Sequence, residues 1–281
     1  MRLTLLFAIS ACFLHAFATS ANADVATEIP IVERFGFIFV KVNVPGQDTP
    51  LNFLLDSGSG TSVLSLRQAR RLGCKLTNPR AIQDVQGFSI AHGVEGFVAS
   101  VQNIPIPSSL LAVDLIPVNR AADGRIDGLL GADFFRGRIV QIDYAAKKIR
   151  LLRRDEVSTE GAQIVPLAMH GDALCVRVAV NGNSPEWMRF DTGCSSALEW
   201  TSRKSWPRKL ANASIAVAGG ANRSIRADVA IGSEHFADVK TGLHDEQMFG
   251  GESGLLGNGL LSHFRVIVDA GKSRLILKRI E

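Results

Sequence analysis

Apolar and polar positions alternate with a period of two through "GFIFVKVNV" (36–44), "RIVQIDY" (138–144) and "KIRLL" (148–152), and Gly, Asn, Asp or Pro punctuates the chain between such runs. That rhythm predicts strands that each bury one face, joined by short turns, and hence antiparallel sandwiches or barrels. Helical periodicity is scarce. The best candidate is "SLRQARRLG" (65–73), a run of good helix formers with a Ser at its start and a Gly just past its end. Shorter helical turns are expected in "ADFFRG" and "NGLLSHF".

The pattern is written twice. Residues 50–58, "PLNFLLDSG", align without a gap on 185–193, "PEWMRFDTG", and the strands before them, "VKVNVPGQDTP" and "VRVAVNGNSP", also correspond. Further on, "GLLGADFFRGRIVQIDYAAKKIRLLRR" (128–154) aligns on "GLLGNGLLSHFRVIVDAGKSRLILKRI" (254–280). A duplication on this scale predicts two lobes of one design. Their expected bounds are 24–157 and 158–281.

In each copy an apolar strand runs into an aspartate, Asp56 or Asp191. A carboxylate delivered into an apolar setting must be solvated, paired or protonated, because burying it alone is expensive. The sequence thus asks what each aspartate pairs with.

Charge and composition narrow the field without deciding it. Residues 3–18, "LTLLFAISACFLHAFA", follow Arg2 and lead into "TSANA", the layout of a signal peptide (1–23) cut after Ala23. A lipid anchor at Cys12 is the rival reading. Removing the leader leaves 30 basic against 27 acidic residues, a mild excess with no basic stripe interleaved with aromatics, so nothing points to nucleic acid. No later segment is apolar enough to span a bilayer, so a periplasmic or secreted protein is expected. Cys74, Cys175 and Cys194 remain, an odd number that fits no zinc spacing. "HDE" (244–246) offers metal-ligating side chains but no spaced partner.

Two "D-S/T-G" motifs, at 56–58 and 191–193, are each followed by "LLG", at 129–131 and 255–257. This arrangement resembles the two half-sites of pepsin-like and retropepsin-like aspartic proteases, over essentially the whole chain after the leader. The resemblance implies an all-β, bilobal fold with a cleft between two barrel-like lobes. Asp56 and Asp191 become a catalytic dyad that activates water, with no cofactor and no metal. It further implies that Ser57 and Thr192 tie the two active loops together, and that a polypeptide lies extended across the cleft of a monomer. Gly58 and Gly193 are expected to let the chain turn tightly, so that backbone N–H groups approach the carboxylates.

The departures are equally specific. Position three after each aspartate is Ser59 in one copy and Cys194 in the other. A Ser59 hydroxyl is expected to bond the outer oxygen of Asp56, whereas a thiol is a weaker donor. Cys194 is left either paired with Cys175 or packed as a free thiol. The chain's one tyrosine, Tyr144, follows the first GLLG, so a flap tyrosine is missing, which favours the retropepsin-like branch. The flap is expected in "DVQGFSIAHGVEG" (84–96), with Gly87 and Phe88 at or beside its tip, and "AVAGGANRS" (216–224) is the matching hairpin of the second copy. The function expected is peptide-bond hydrolysis; the alternative is a catalytically silent peptide- or protein-binding module on the same scaffold.

Overall fold

The computed structural model describes residues 27–85, 87–121, 124–201, 214–215 and 223–280. The proposed leader and Cys12 lie outside the described residues, as does 216–222 of the second hairpin. Among the described residues no helix is long and apolar enough to cross a membrane.

The second half of each copy meets its counterpart at the middle of the molecule. Strand Ile139–Asp143 pairs antiparallel with Phe264–Asp269, and Gln141 lies opposite Ile267. These two residues are equivalent positions in the duplicated sequence, so the pseudo-twofold axis passes between them, as an isologous contact requires. Lys148–Leu152 and Arg274–Arg279 flank the pair, Thr27–Pro30 and the start of Gln163–His170 close the edges, and one six-stranded layer spans both copies. The aspartates that recur twelve residues after each GLLG serve this layer. Asp143 accepts from Arg265 Nε at 2.7 Å and Asp269 from Arg274 Nε at 2.9 Å, each at the end of its strand.

On either side, each copy builds the same crossing. Leu51–Leu55 runs parallel to Gly128–Leu130, which also pairs antiparallel with Val63–Ser65. In the second copy Glu186–Phe190 runs parallel to Gly254–Leu256, which pairs antiparallel with Leu198–Thr201. The apolar pair of each LLG is buried on both faces, as a strand in the middle of a sheet must be. The fold is all-β, as the alternation predicts, and bilobal, as the duplication predicts. Position 157/158, where the sequence suggests a boundary, falls between the turn at Arg154–Glu156 and the strand Gln163–His170.

The helix predicted at 65–73 forms over Leu66–Arg71. Ser65 Oγ caps it by accepting from the Gln68 N–H at 3.2 Å, and Gly73 exits at φ +69°. The two short turns also form, as Ala132–Phe134 and Asn258–Leu261. A helix at Ile116–Ala121 has no counterpart in the sequence reading. The main core runs through both lobes and the shared layer, from Phe53 and Phe134 to Phe190 and Phe264.

Candidate active site

Each aspartate is placed by the crossing beneath it. The Asp56 N–H donates to Leu130 O and the Asp191 N–H donates to Leu256 O, both at 2.9 Å. The LLG strands therefore fix where each active loop leaves its sheet. Both side chains are wholly buried, and their carboxyl groups lie within hydrogen-bonding reach of each other.

The loops hold each other by a reciprocal set of bonds. The Ser57 N–H donates to Thr192 Oγ1 and the Thr192 N–H donates to Ser57 Oγ, each at 3.0 Å. The hydroxyls in turn donate across the junction, Ser57 to Phe190 O at 2.8 Å and Thr192 to Leu55 O at 2.9 Å. Four buried bonds thus fasten the two copies at the dyad. Replacing Ser57 by Ala, or Thr192 by Val, strands one buried N–H and one buried carbonyl. Each variant is expected to lose roughly 2–4 kcal/mol in urea unfolding. The double variant is expected to lose less than the sum, because the two hydroxyls share one network.

The carboxylates are not held symmetrically. Asp56 Oδ1 accepts from the Ser59 N–H at 3.0 Å, and Asp191 Oδ1 accepts from the Gly193 N–H at 2.8 Å. The Ser59 hydroxyl donates instead to Thr61 O at 2.9 Å, so the expected Ser59 bond to Asp56 comes from its backbone. Asp56 Oδ2 and Asp191 Oδ2 are buried with no donor among the described residues. Two buried carboxyls within reach of each other, each with an oxygen that lacks a donor, are reconciled by a single proton held by the pair.

Electrostatics agree. Burial, and then the neighbouring Asp191, push the Asp56 carboxyl well above the usual carboxylate range. Burial pushes Asp191 up to about 7, against the pull of Arg189 and of the Gly193 N–H. Carboxyls this close titrate as a unit, and the unit keeps a proton far more readily than an exposed aspartate does.

Gly58 has a different reason to be glycine from the one expected. Its φ lies outside the left-handed region, but a Cβ there would stand 2.4 Å from Asp191 Cγ. What the position requires is space for the opposite carboxylate rather than a special turn.

Cys194 is buried against Met248, Phe249 and Leu255. The three cysteines are free thiols, so the pairing of Cys194 with Cys175 does not occur. Burial raises the Cys194 thiol well above its ordinary value, which leaves it protonated beside Asp191.

The flap hairpin forms from Arg80–Asp84 and Gly87–Glu95, with Asp84 opposite Gly87 and Gln83 opposite Phe88. Gly87 and Phe88 thus begin the return strand beside the tip. Val85 packs on the Cys194 cluster of the second lobe, and Gln83 Nε2 donates to Met248 O at 2.8 Å. Phe88 and Ile90 share the face of Gln83 by strand pairing and are about 60% exposed, at 59% and 60%. The backbone of Ser214–Ile215 runs parallel beside Gln83–Asp84, so the second lobe augments the flap.

Three residues at this site carry no motif. Asn258 follows the second GLLG, donates to Gly36 O at 2.7 Å and Thr192 O at 2.8 Å, and accepts from Tyr144 OH at 2.9 Å. Arg189 and Glu252 form a buried ion pair, with Nε to Oε2 at 2.7 Å and Nη2 to Oε1 at 2.8 Å. A comparison of the two copies would have flagged Arg189, since the equivalent position is the apolar Leu54.

His170, Cys175 and Glu252 bring three potential metal-ligating atoms within 4.8 Å of one another. Both Glu252 oxygens are occupied by the Arg189 guanidinium, whose charge also opposes a cation, so these residues do not fit a metal. In "HDE", His244 pairs with the buried Glu199 at 2.7 Å and Asp245 with Arg223 at 3.1 Å, so the two side chains are directed to separate partners.

Paired crossing strands, a six-stranded shared layer and two facing aspartates define the pepsin-like fold. Residues 40–134, which include Asp56 and the first GLLG, match the family described as aspartyl protease. Among solved structures, basic 7S globulin from soybean aligns with a TM-score of 0.55 at 9% identity, covering 90% of this chain and 94% of that one. No curated protein sequence matches the chain significantly. Sequence similarity to the aspartyl protease family thus covers residues 40–134, in the first lobe, and likeness of fold to the globulin extends over both lobes.

Proposed function

We propose that this chain is an aspartic endopeptidase of the retropepsin-like kind, exported by its leader, with Asp56 and Asp191 as the catalytic dyad. The observation that carries this reading is the pair of wholly buried carboxyls within hydrogen-bonding reach of each other, each with an Oδ2 that has no donor among the described residues, between loops locked by Ser57 and Thr192. A binding module gains nothing from burying two opposed acids, because burial alone disfavours both.

With one proton shared, the pair is an acid and a base at once. The ionised carboxyl takes a proton from a water while the protonated one hydrogen-bonds the scissile carbonyl, and addition gives a gem-diol. The dyad then returns a proton to the departing amine. The water oxygen forms the new C–O bond, the C–N bond breaks as the amine takes its proton, and the dyad itself only moves protons, with no acyl-enzyme. The substrate lies extended between the lobes under the hairpin, where Phe88 and Ile90 offer apolar contact. Phe88→Ala is expected to raise KM several-fold, about 1 kcal/mol of lost apolar contact.

The competent state holds one proton, so the rate rises as the pair loses its first. Because Asp191 is pushed up to about 7, the acid limb of kcat/KM is expected nearer neutrality than pH 4. The test is incubation of purified protein with an unfolded polypeptide across pH 4 to 9, reading new amino termini. Incorporation of ¹⁸O from labelled water at the new carboxyl termini would mark hydrolysis. No cleavage at any pH would favour the silent binding module.

A further inference from the structure

Arg189 is the one basic side chain buried within an aspartate strand, 2% exposed and two residues before Asp191. Strand alternation sends it to the same face as Asp191. Its fork is fully directed: Nε and Nη2 grip Glu252, while Nη1 donates to Gly58 O at 2.8 Å, in the active loop of the other copy. The guanidinium carbon sits 3.5 Å from the centroid of the Phe249 ring, which closes one side. Gly58 is thus enclosed between the Arg189 fork and the Asp191 carboxylate, against which its own Cβ position would collide.

We propose that Arg189, braced by Glu252, is a positioning residue that seats the Gly58 segment against Asp191 and sets the charge balance around the dyad. The proposal rests on the endopeptidase reading for its meaning, but its geometry stands apart from it. The groups that bear on the arrangement are few. Asp56, Asp191 and Asp172 favour the guanidinium charge, Glu252 largely compensates it, and Cys175 and Cys194 are protonated thiols with raised pKa values. His170 approaches Cys175 and Glu252 from the neighbouring strand. In the first copy Leu54 takes the equivalent place, so the charge falls on one side of the pseudo-twofold axis. That adds a difference of charge to the unequal backbone bonds by which the two loops hold their carboxylates.

The sign of each substitution follows. Arg189→Met removes a positive charge near two carboxyls, so the pair should hold its protons to higher pH. Glu252→Gln removes the compensating negative charge, so the pair should release them at lower pH. Shifts on the order of one pH unit are expected, in opposite directions.

The experiment is carbon-13 carboxyl titration of protein labelled at aspartate, with the acid limb of kcat/KM measured alongside. Opposite shifts in the two variants support the proposal. Shifts in one direction, or none in either folded variant, overturn it. Arg189→Lys provides the control for folding: it keeps the charge and loses the fork. It should therefore titrate like wild type while kcat falls, and a titration displaced as far as in Arg189→Met would also overturn the proposal. Titrations that move oppositely in a protein that cleaves nothing would sink the endopeptidase reading alone. Cleavage without opposite shifts would sink this one alone.

Discussion

Asp56→Asn and Asp191→Asn are each expected to lower kcat/KM by roughly three orders of magnitude, since either change removes half of an acid–base pair that works by dividing one proton. The same variants are expected to be more stable than wild type at neutral and alkaline pH. Asp191 titrates near 3.8 in an exposed chain and at about 7 when folded, so between these values the folded state holds a proton that the unfolded state has released. Wild-type stability therefore falls as pH climbs through this window, by on the order of a few kcal/mol. An amide in place of Asp191 removes that fall, and Asp56, whose carboxyl burial also raises, contributes a fall of the same sign that Asp56→Asn removes. Thermal melts from pH 4 to 9 check it: a variant curve parallel to wild type would show that the dyad is not held protonated by the fold. Loss of activity joined to a gain of stability is what separates a catalytic acid pair from a structural one.

The legible part of this molecule was the part that the duplication wrote twice. Period-two alternation predicts the strands, and the paired "D-S/T-G" and "LLG" motifs predict which of them cross beneath Asp56 and Asp191. The grip between Ser57 and Thr192 was implied by family resemblance and is present in full. What escaped was what the copies do not share. Arg189 replaces Leu54 and Asn258 replaces Ala132. Such positions carry no motif, and a charged residue within an apolar strand reads as a surface residue until its partner is known. Glu252 lies 63 positions from Arg189, and no local pattern connects them. Ser59 shows another limit: the residue type was right for a donor, but loop geometry gives the bond to its backbone N–H and turns its hydroxyl to Thr61.

Gly58→Ala is expected to cost at least a hundredfold in kcat/KM while leaving the fold assembled. The added methyl would stand 2.4 Å from Asp191 Cγ and 2.5 Å from its Oδ1, and both neighbours are pinned. Asp191 cannot retreat without breaking the Gly193 N–H bond at 2.8 Å, and the loop cannot retreat without breaking the Arg189 bond to Gly58 O, also 2.8 Å. Overpacking of this kind costs about 1–3 kcal/mol in stability. Catalysis suffers more, because a displacement near 1 Å between reacting groups is worth about two orders of magnitude in rate. Gly271→Ala is the matched control. Its Cβ would meet only Asp269 Oδ1, at 3.8 Å, and should change neither rate nor stability appreciably. If Gly58→Ala kept wild-type kcat/KM, the close apposition of Gly58 and Asp191 could not be part of the working site. Backbone conformation does not explain the glycine, so a null result would leave it no role at the dyad.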